Sequence, residues 1–314
     1  MWITDNVKIK KNKKIITFEL IANEWIENKR KDIKESSLAN YLYIIRKYLM
    51  IEFRDYTLEN LEKNNFNEYV DELNQDLKPK TIRDILIVLK SILNYANEKY
   101  KCSIKIGQIK APKLEQDIIV ILSKDEKTKL EKYCLKQKSL KSLGIIICLN
   151  TGIRIGEICA LKWKNIDLDK KEICIRNTLQ RIYDEELKGT KVIIGKPKTN
   201  ASVRNIPISN KVCNILKELR NKYGNEDYFL TGNARLYIEP RAYRENFKSF
   251  LRKSRLRTTY RFHILRHTFA TDCIGVGMDI KSLSEILGHT TVEITLNRYV
   301  HSSFERKIKY LEKI

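Results

Sequence analysis

Glycine and proline are scarce in this 314-residue chain, at 11 and 5 residues. Both interrupt regular elements, so their scarcity excludes a collagen-like or linker-rich chain and leaves a folded, helix-rich protein. No apolar run approaches the ~18 residues of a membrane span. The longest runs, IIVIL at 118–122 and GIIICL at 144–149, have the length of core segments. The seven cysteines stand singly, with no CxxC step and an odd total. That pattern excludes a disulfide framework and a thiolate zinc site and points to a reducing compartment. The opening MWITDNVKIKKNKK lacks the apolar stretch of a signal peptide, so the expected location is the cytoplasm, and no membrane partner is expected. Acidic residues are also few, 39 against 61 Lys and Arg, leaving a net charge of +22. An excess this large along the whole chain points to a polyanion, nucleic acid ahead of a membrane surface.

Histidine is scarcer still. Three of the four histidines, His263, His267 and His289, fall in HILRHTFATDCIGVGMDIKSLSEILGHTTVEITLNRY at 263–299, and His301 lies just beyond. Arg266 and Tyr299 share that window. Histidine changes charge near neutral pH, arginine grips phosphate through a planar fork, and a tyrosine beside them can act as a nucleophile. Together they suggest chemistry on a phosphate ester. The HxxxH spacing of His263 and His267 also occurs in zinc-binding helices, but Ile264 stands where such helices carry glutamate, so no metal is expected.

The rest of the chain reads as helix, then mixed structure, then helix. Residues 1–16 form a tail whose Lys8, Lys10 and Lys11 are candidates for lying on DNA. Apolar spacing predicts a helix from Thr17 to Lys31, and Ser36 and Ser37 are candidate caps of a second helix running to about Met50. One or two short helices follow at 57–75. Pro79 opens a long helix to about Tyr100, with Ile82, Ile85, Leu86, Leu89, Ile92, Leu93 and Ala96 as its inner stripe. Lys80 and Arg83 lie on its outer face and are further DNA-binding candidates. The boundaries expected are a helical domain at 17–101, a linker at 102–122 and a second domain at 123–314. Ser123 with Glu126 makes a capping box, a very apolar helix follows at about 139–149, and Arg154 opens a short helix with Glu157 on its next turn. EICIRNTLQRIY, KVIIG and SVRNIPI alternate as strands of one small antiparallel sheet, with Lys198 in the turn between the last two. Helices return at about 210–222, at 240–254 and through the final window, and the tail with Phe304, Ile308 and Leu311 has a one-sided apolar face. The expected class is mainly α with a small antiparallel β-sheet, α+β.

TGIRIGEICAL, PKTNASVRNIPI, HILRHTFAT, LGH and LNRYVH, in that order, resemble the tyrosine recombinase (phage integrase) family, in the manner of conjugative-transposon and phage integrases. The resemblance covers about residues 17–314 and implies a helical, SAM-like core-binding domain followed by a catalytic domain. It implies a site-specific recombinase that cleaves and rejoins double-stranded DNA through a 3′-phosphotyrosine and a Holliday junction. It further implies a homotetramer on two DNA sites, with an accessory DNA-bending or directionality factor as a further partner.

The resemblance also assigns roles. Arg154 and Arg266 clamp the non-bridging phosphate oxygens, Tyr299 attacks, His263 is the expected base and Lys198 the expected acid. His289 donates a hydrogen bond to the phosphate and Glu157 orients the site, while His267 is expected to buttress its helix through a backbone bond. Lys191 and Lys196 are rival acids. No cofactor is implied, because two arginines replace a metal ion and the phosphotyrosine conserves the bond's free energy without ATP. Two other readings share these features: a type IB topoisomerase, and a DNA-binding relative without activity.

Overall fold

The computed structural model describes residues 15–114, 119–184, 187–196, 200–299 and 312. Lys8, Lys10, Lys11, Lys198, His301 and the apolar tail with Phe304, Ile308 and Leu311 lie outside the described residues. The chain divides into two compact units, Met1–Gln116 with Ile182–Gly189, and Asp117–Arg181 with Thr190–Ile314.

In the first unit, α1 (Phe18–Arg30) is capped by the Thr17 hydroxyl. α2 (Glu35–Ile44) begins at Lys34, so Ser36 and Ser37 lie inside its first turn instead of capping it. Glu35 occupies that turn, where a carboxylate complements the positive end of the helix dipole. The helix passes through a π turn at Ile45–Leu49 into α3 (Met50–Phe53). α4 (Leu58–Lys63) starts in a capping box of Thr57 and Asn60, and α5 (Phe66–Asp76) and α6 (Pro79–Tyr100) follow. The apolar stripe of α6 forms the spine of the core, with Phe18, Ile21 and Trp25 of α1 packed in the same cluster. Ile104 and Ile109 also join that cluster, so the stretch after α6 starts as part of the packed helical unit.

Phe53 organises this core. Its ring contacts Phe18, Tyr56, Phe66 and Tyr69 at centroid distances of 5.7, 5.3, 5.6 and 4.9 Å. It is 1% exposed, so Phe53→Ala leaves a cavity and is expected to destabilise this unit by about 3–5 kcal/mol, read as a lower urea midpoint.

In the second unit, α7 (Lys124–Gln137) starts at the expected capping box, with Ser123 N–H donating to Glu126 Oε2 at 2.9 Å. α8 (Leu140–Thr151) is buried along Ser142–Leu149 and ends at Gly152, whose φ of 65° suits a residue without a side chain. α9 (Ile155–Ala160) follows at once. The strands are β1 (Ile166–Asp167), β2 (Glu172–Ile175), β3 (Thr178–Asp184), β4 (Gly189–Gly195) and β5 (Arg204–Pro207). They make two sheets instead of one: antiparallel β1-β2-β5, and β3 with β4. EICIRNTLQRIY breaks at Arg176-Asn177, where two consecutive exposed residues separate β2, whose Ile173 and Ile175 pair with β5, from β3. α10 (Asn210–Arg220), α11 (Pro240–Lys253), α12 (Ile264–Gly275), α13 (Ile280–Leu287) and α14 (Val292–Tyr299) complete the unit. α12 packs along α8, and α13 lies against β5 and α14. No helix among the described residues is long and apolar enough to cross a membrane.

Candidate active site

The site is built around the carboxyl end of α13. A helix end leaves carbonyls without intrahelical donors and carries the negative end of the dipole. Here three arginines from three elements supply the donors. Arg204 Nε of β5 reaches Ile286 O at 2.6 Å, Arg266 Nη2 of α12 reaches Leu287 O at 2.8 Å, and Arg154 Nη2 reaches Gly288 O at 2.9 Å. Gly288 turns the chain with φ 65°, and a Cβ there would lie 3.0 Å from the Arg204 side chain. Arg266 also donates to Gly152 O at 2.8 Å, which ties the end of α8 to α12.

Glu157 is the carboxylate that these guanidiniums share. Its Oε1 accepts from Arg154 Nη1 at 2.9 Å and Arg204 Nη1 at 3.0 Å. Its Oε2 accepts from the Arg154 backbone N–H and Arg204 Nη2, both at 2.9 Å. Burial alone would raise the Glu157 pKa, but hydrogen bonding and charge from Arg204, then Arg154, bring it below the usual carboxylate range. Three fixed positive charges therefore face one negative charge. Such a cluster is an anion site, and a phosphodiester group has the charge and oxygen geometry to fill it.

The histidines and the tyrosine border the cluster. His289 follows Gly288, and its Nε2 lies 2.8 Å from Arg266 Nη2. A guanidinium can only donate, so Nε2 is the unprotonated nitrogen; Nδ1–H then donates to Thr295 Oγ1 at 2.7 Å. His263 is the N-cap of α12, and its ring meets that of His267 edge-on at 4.6 Å between centroids. His267 Nδ1 lies 2.8 Å from Tyr299 Oη. Its side chain thus reaches the tyrosine on α14, and its own backbone N–H makes only the ordinary helical bond to His263 O.

Burial and the surrounding cations hold all three rings neutral. Desolvation comes first for each, followed for His289 by Arg266 and Arg154 and for His267 by Arg298 and Arg266, leaving values of about 3 and about 4. His263 is open to solvent at its surface yet moves in the same direction, through desolvation, then His267 and Arg266. Burial raises Tyr299, and Arg266 opposes it by charge and hydrogen bonding.

These directions set a pH dependence. A histidine whose folded pKa is depressed contributes stability above its unfolded value of about 6.5, and loses it as pH falls toward the folded value. The melting temperature is expected to drop between pH 7 and pH 5. A bound phosphate favours the protonated rings, so DNA binding is expected to take up protons and tighten over the same interval. Fluorescence anisotropy at fixed salt reads the second effect; affinity independent of pH would contradict it.

Of the residues expected from the sequence, Arg154, Glu157, His263, Arg266, His267, His289 and Tyr299 come together in the second unit. Lys191 lies on β4 and Lys196 follows it, exposed. Lys80 and Arg83 are exposed on the first turns of α6, in the other unit. Sequence reasoning missed Arg204 and Thr295, which are 8% and 0% exposed. The signal for Arg204 was present: it shares the inward face of SVRNIPI with Ile206, opposite Ile175, and an arginine facing inward needs a buried partner.

Residues 115–306 match the phage integrase family, and residues 17–74 match its N-terminal SAM-like domain. A tyrosine recombinase XerC-like protein of Caldanaerobacter subterraneus is 29% identical, covering 95% of this chain and 83% of that protein. The ICEBs1 integrase of Bacillus subtilis is 23% identical, covering 91% and 79%. Among solved structures, the Tn1549 transposon integrase in complex with a circular intermediate DNA superposes with a TM-score of 0.77 at 21% identity, covering 95% of this chain and 99% of that one. The lambda integrase tetramer bound to a Holliday junction gives 0.65 at 17% identity, covering 93% and 80%. With its helical domain, its small sheets and a tyrosine beside an arginine cluster, the chain belongs to the phage integrase family, the tyrosine recombinases.

Proposed function

We propose that this chain is a site-specific DNA recombinase that cleaves and rejoins strands by phosphoryl transfer to Tyr299. The observation that carries the reading is the excess of guanidinium over carboxylate beside a buried phenol. In phosphoryl transfer the phosphate oxygens gain negative charge on the way to the transition state, so fixed donors already in place lower the barrier. Arg154 and Arg266 hold the non-bridging oxygens, and Glu157, braced by Arg204, fixes the angle of Arg154. His289 turns from Arg266 to the incoming phosphate, and its change of partner requires the proton to move to Nε2 or a second proton to bind. Tyr299 displaces the 5′-oxygen, Lys198 protonates that oxygen, and a neutral histidine receives the phenolic proton, with His263 at the mouth of the site. The 3′-phosphotyrosine keeps the bond energy for rejoining, so neither metal nor ATP takes part.

The first unit adds DNA contacts of its own: exposed Lys80 and Arg83, with Lys8, Lys10 and Lys11, contact phosphates. The DNA complexes of the Tn1549 and lambda integrases support DNA as partner, and the lambda tetramer on a Holliday junction supports four protomers exchanging strands in pairs. An accessory bending or directionality factor and a cytoplasmic, bacterial setting fit the same reading.

The test is incubation with duplex DNA from the ends of the source element, followed by denaturing electrophoresis. Wild type is expected to give a covalent protein–DNA band; Tyr299→Phe is expected to bind the same DNA and give none. A band of equal intensity from Tyr299→Phe would overturn the reading.

A further inference from the structure

Resting on that role for Tyr299, we infer that His267 is a catalytic residue: it holds the Tyr299 hydroxyl and takes its proton as the oxygen attacks phosphorus. The first ground is contact. Nδ1 of His267 lies 2.8 Å from Tyr299 Oη, with ring centroids 5.6 Å apart and planes tilted by 56°. That distance is what a general base needs before substrate arrives.

The second ground is elimination among the neighbours. His289 has both ring nitrogens engaged, Nε2 with Arg266 and Nδ1 with Thr295. His263 meets Tyr299 through no direct bond among the described residues; its ring abuts His267 instead. The guanidiniums only donate, and both oxygens of Glu157 are bound by Arg154 and Arg204.

The third ground is position along α12. Arg266 is 2% exposed and pinned to Gly152 O and Leu287 O, which fixes the rotation of the helix. His267 is the next residue on that fixed backbone. The phosphate clamp and the holder of the nucleophile are therefore one peptide unit apart, and their separation is set by covalent geometry. Arg266 and His263 face His267 from α12 and its cap, and Arg298 and Tyr299 face it from α14. Burial first, and then the charges of Arg298 and Arg266, keep the imidazole neutral at physiological pH, as an acceptor must be.

The step balances as follows. The Tyr299 O–H bond breaks as the proton passes to Nδ1, and an Oη lone pair forms the bond to phosphorus. The bond from phosphorus to the 5′-oxygen breaks with its electron pair, and that oxygen takes a proton from the general acid. In rejoining, the 5′-hydroxyl gives its proton back to the deprotonated general acid as its oxygen attacks phosphorus, the bond from phosphorus to Tyr299 Oη breaks with its electron pair, and the His267 imidazolium returns the proton to the departing phenolate.

Single-turnover cleavage of a nicked duplex tests this, using an ordinary phosphodiester and one with a bridging 5′-sulfur, which leaves without protonation. His267→Ala is expected to slow adduct formation about 100-fold on both substrates, with unchanged DNA affinity and a rate that climbs with pH as the phenol ionises unaided. His267→Asn places its amide oxygen near the position of Nδ1, where it can hold the Tyr299 hydroxyl but cannot take its proton, so it is expected to be nearly as slow as alanine. His267→Gln, whose oxygen falls nearer Nε2, is expected to be equally slow; because both amides keep the polarity of the position, they serve if the alanine variant folds poorly. Recovery of His267→Ala on the sulfur substrate would overturn the inference by placing the residue on the leaving-group side. So would an Asn variant within about 10-fold of wild type, which would leave the residue only holding the hydroxyl, or an unchanged pH profile in His267→Ala. An adduct with Tyr299→Phe, by contrast, would fail the recombinase reading itself.

Discussion

Alanine at Arg154 is expected to slow strand cleavage by about 10³-fold while leaving the folded protein nearly as stable as wild type. The contrast with Arg266 explains why. Arg266 is 2% exposed and donates to two backbone carbonyls and His289, so its loss disturbs packing and chemistry together. The Arg154 side chain is 34% exposed, with its fork held at one edge by Glu157 Oε1 and Gly288 O. Two of its five N–H groups are thereby committed, which orients the rest toward the open side where a phosphate arrives. When the side chain is removed, Glu157 still keeps both Arg204 bonds and the Arg154 backbone N–H. The folded state loses little, and the transition state loses a preorganised double donor. Arg154→Lys is expected to recover only a small part, because an ammonium cannot span two acceptors and a phosphate in one plane. Single-turnover cleavage beside a thermal melt checks both halves; a rate within 10-fold of wild type would remove Arg154 from the clamp.

Arg204→Ala is expected to do the reverse, costing about 3–5 kcal/mol of stability before any chemistry is considered. Glu157 is 2% exposed and bound through both oxygens by Arg204. Without that partner a buried carboxylate keeps only Arg154, and the carbonyls of Ile286 and Ser202 lose their donor. The same change unties β5 from the end of α13, so cleavage falls as well. A second substitution separates charge from shape: Glu157→Gln in the Arg204→Ala background removes the stranded charge and is expected to restore part of the loss. Urea unfolding of the single and double variants reads this directly. A double variant less stable than Arg204→Ala would contradict the assignment of Glu157 as the buried counter-charge.

Most of the local structure was legible because it depends on short-range rules. Pro79 at the first position of α6, the Ser123–Glu126 capping box and Gly152 at the end of α8 are all local signals that the fold obeys. The second helix was less legible, since Ser36 and Ser37 are good caps in isolation and the helix starts at Glu35 instead. The single sheet expected from alternating residues splits at the exposed pair Arg176-Asn177, although Ile173, Ile175 and Leu179 keep one phase across it, so the alternation carries no sign of the break. At the site, residue types and order pointed to the cluster, but partners did not follow from them. The bond from His267 to Tyr299 spans 32 residues and depends on α13 folding the chain back, and no spacing rule carries that information. Arg204 lay in the run SVRNIPI that was expected as a strand, but its role depends on a register that places it opposite Ile175.

The central claim is that Tyr299 becomes joined to a DNA 3′ end in the arginine cluster that Arg154, Arg204 and Arg266 form at the end of α13. Digesting the trapped adduct with protease and nuclease, then sequencing the modified peptide by mass spectrometry, tests it most directly. The account predicts one modified peptide, carrying a 3′-linked nucleotide on Tyr299, with the released DNA strand ending in a 5′-hydroxyl. Modification of another residue, or a 5′-linked nucleotide with a free 3′-hydroxyl, would contradict it.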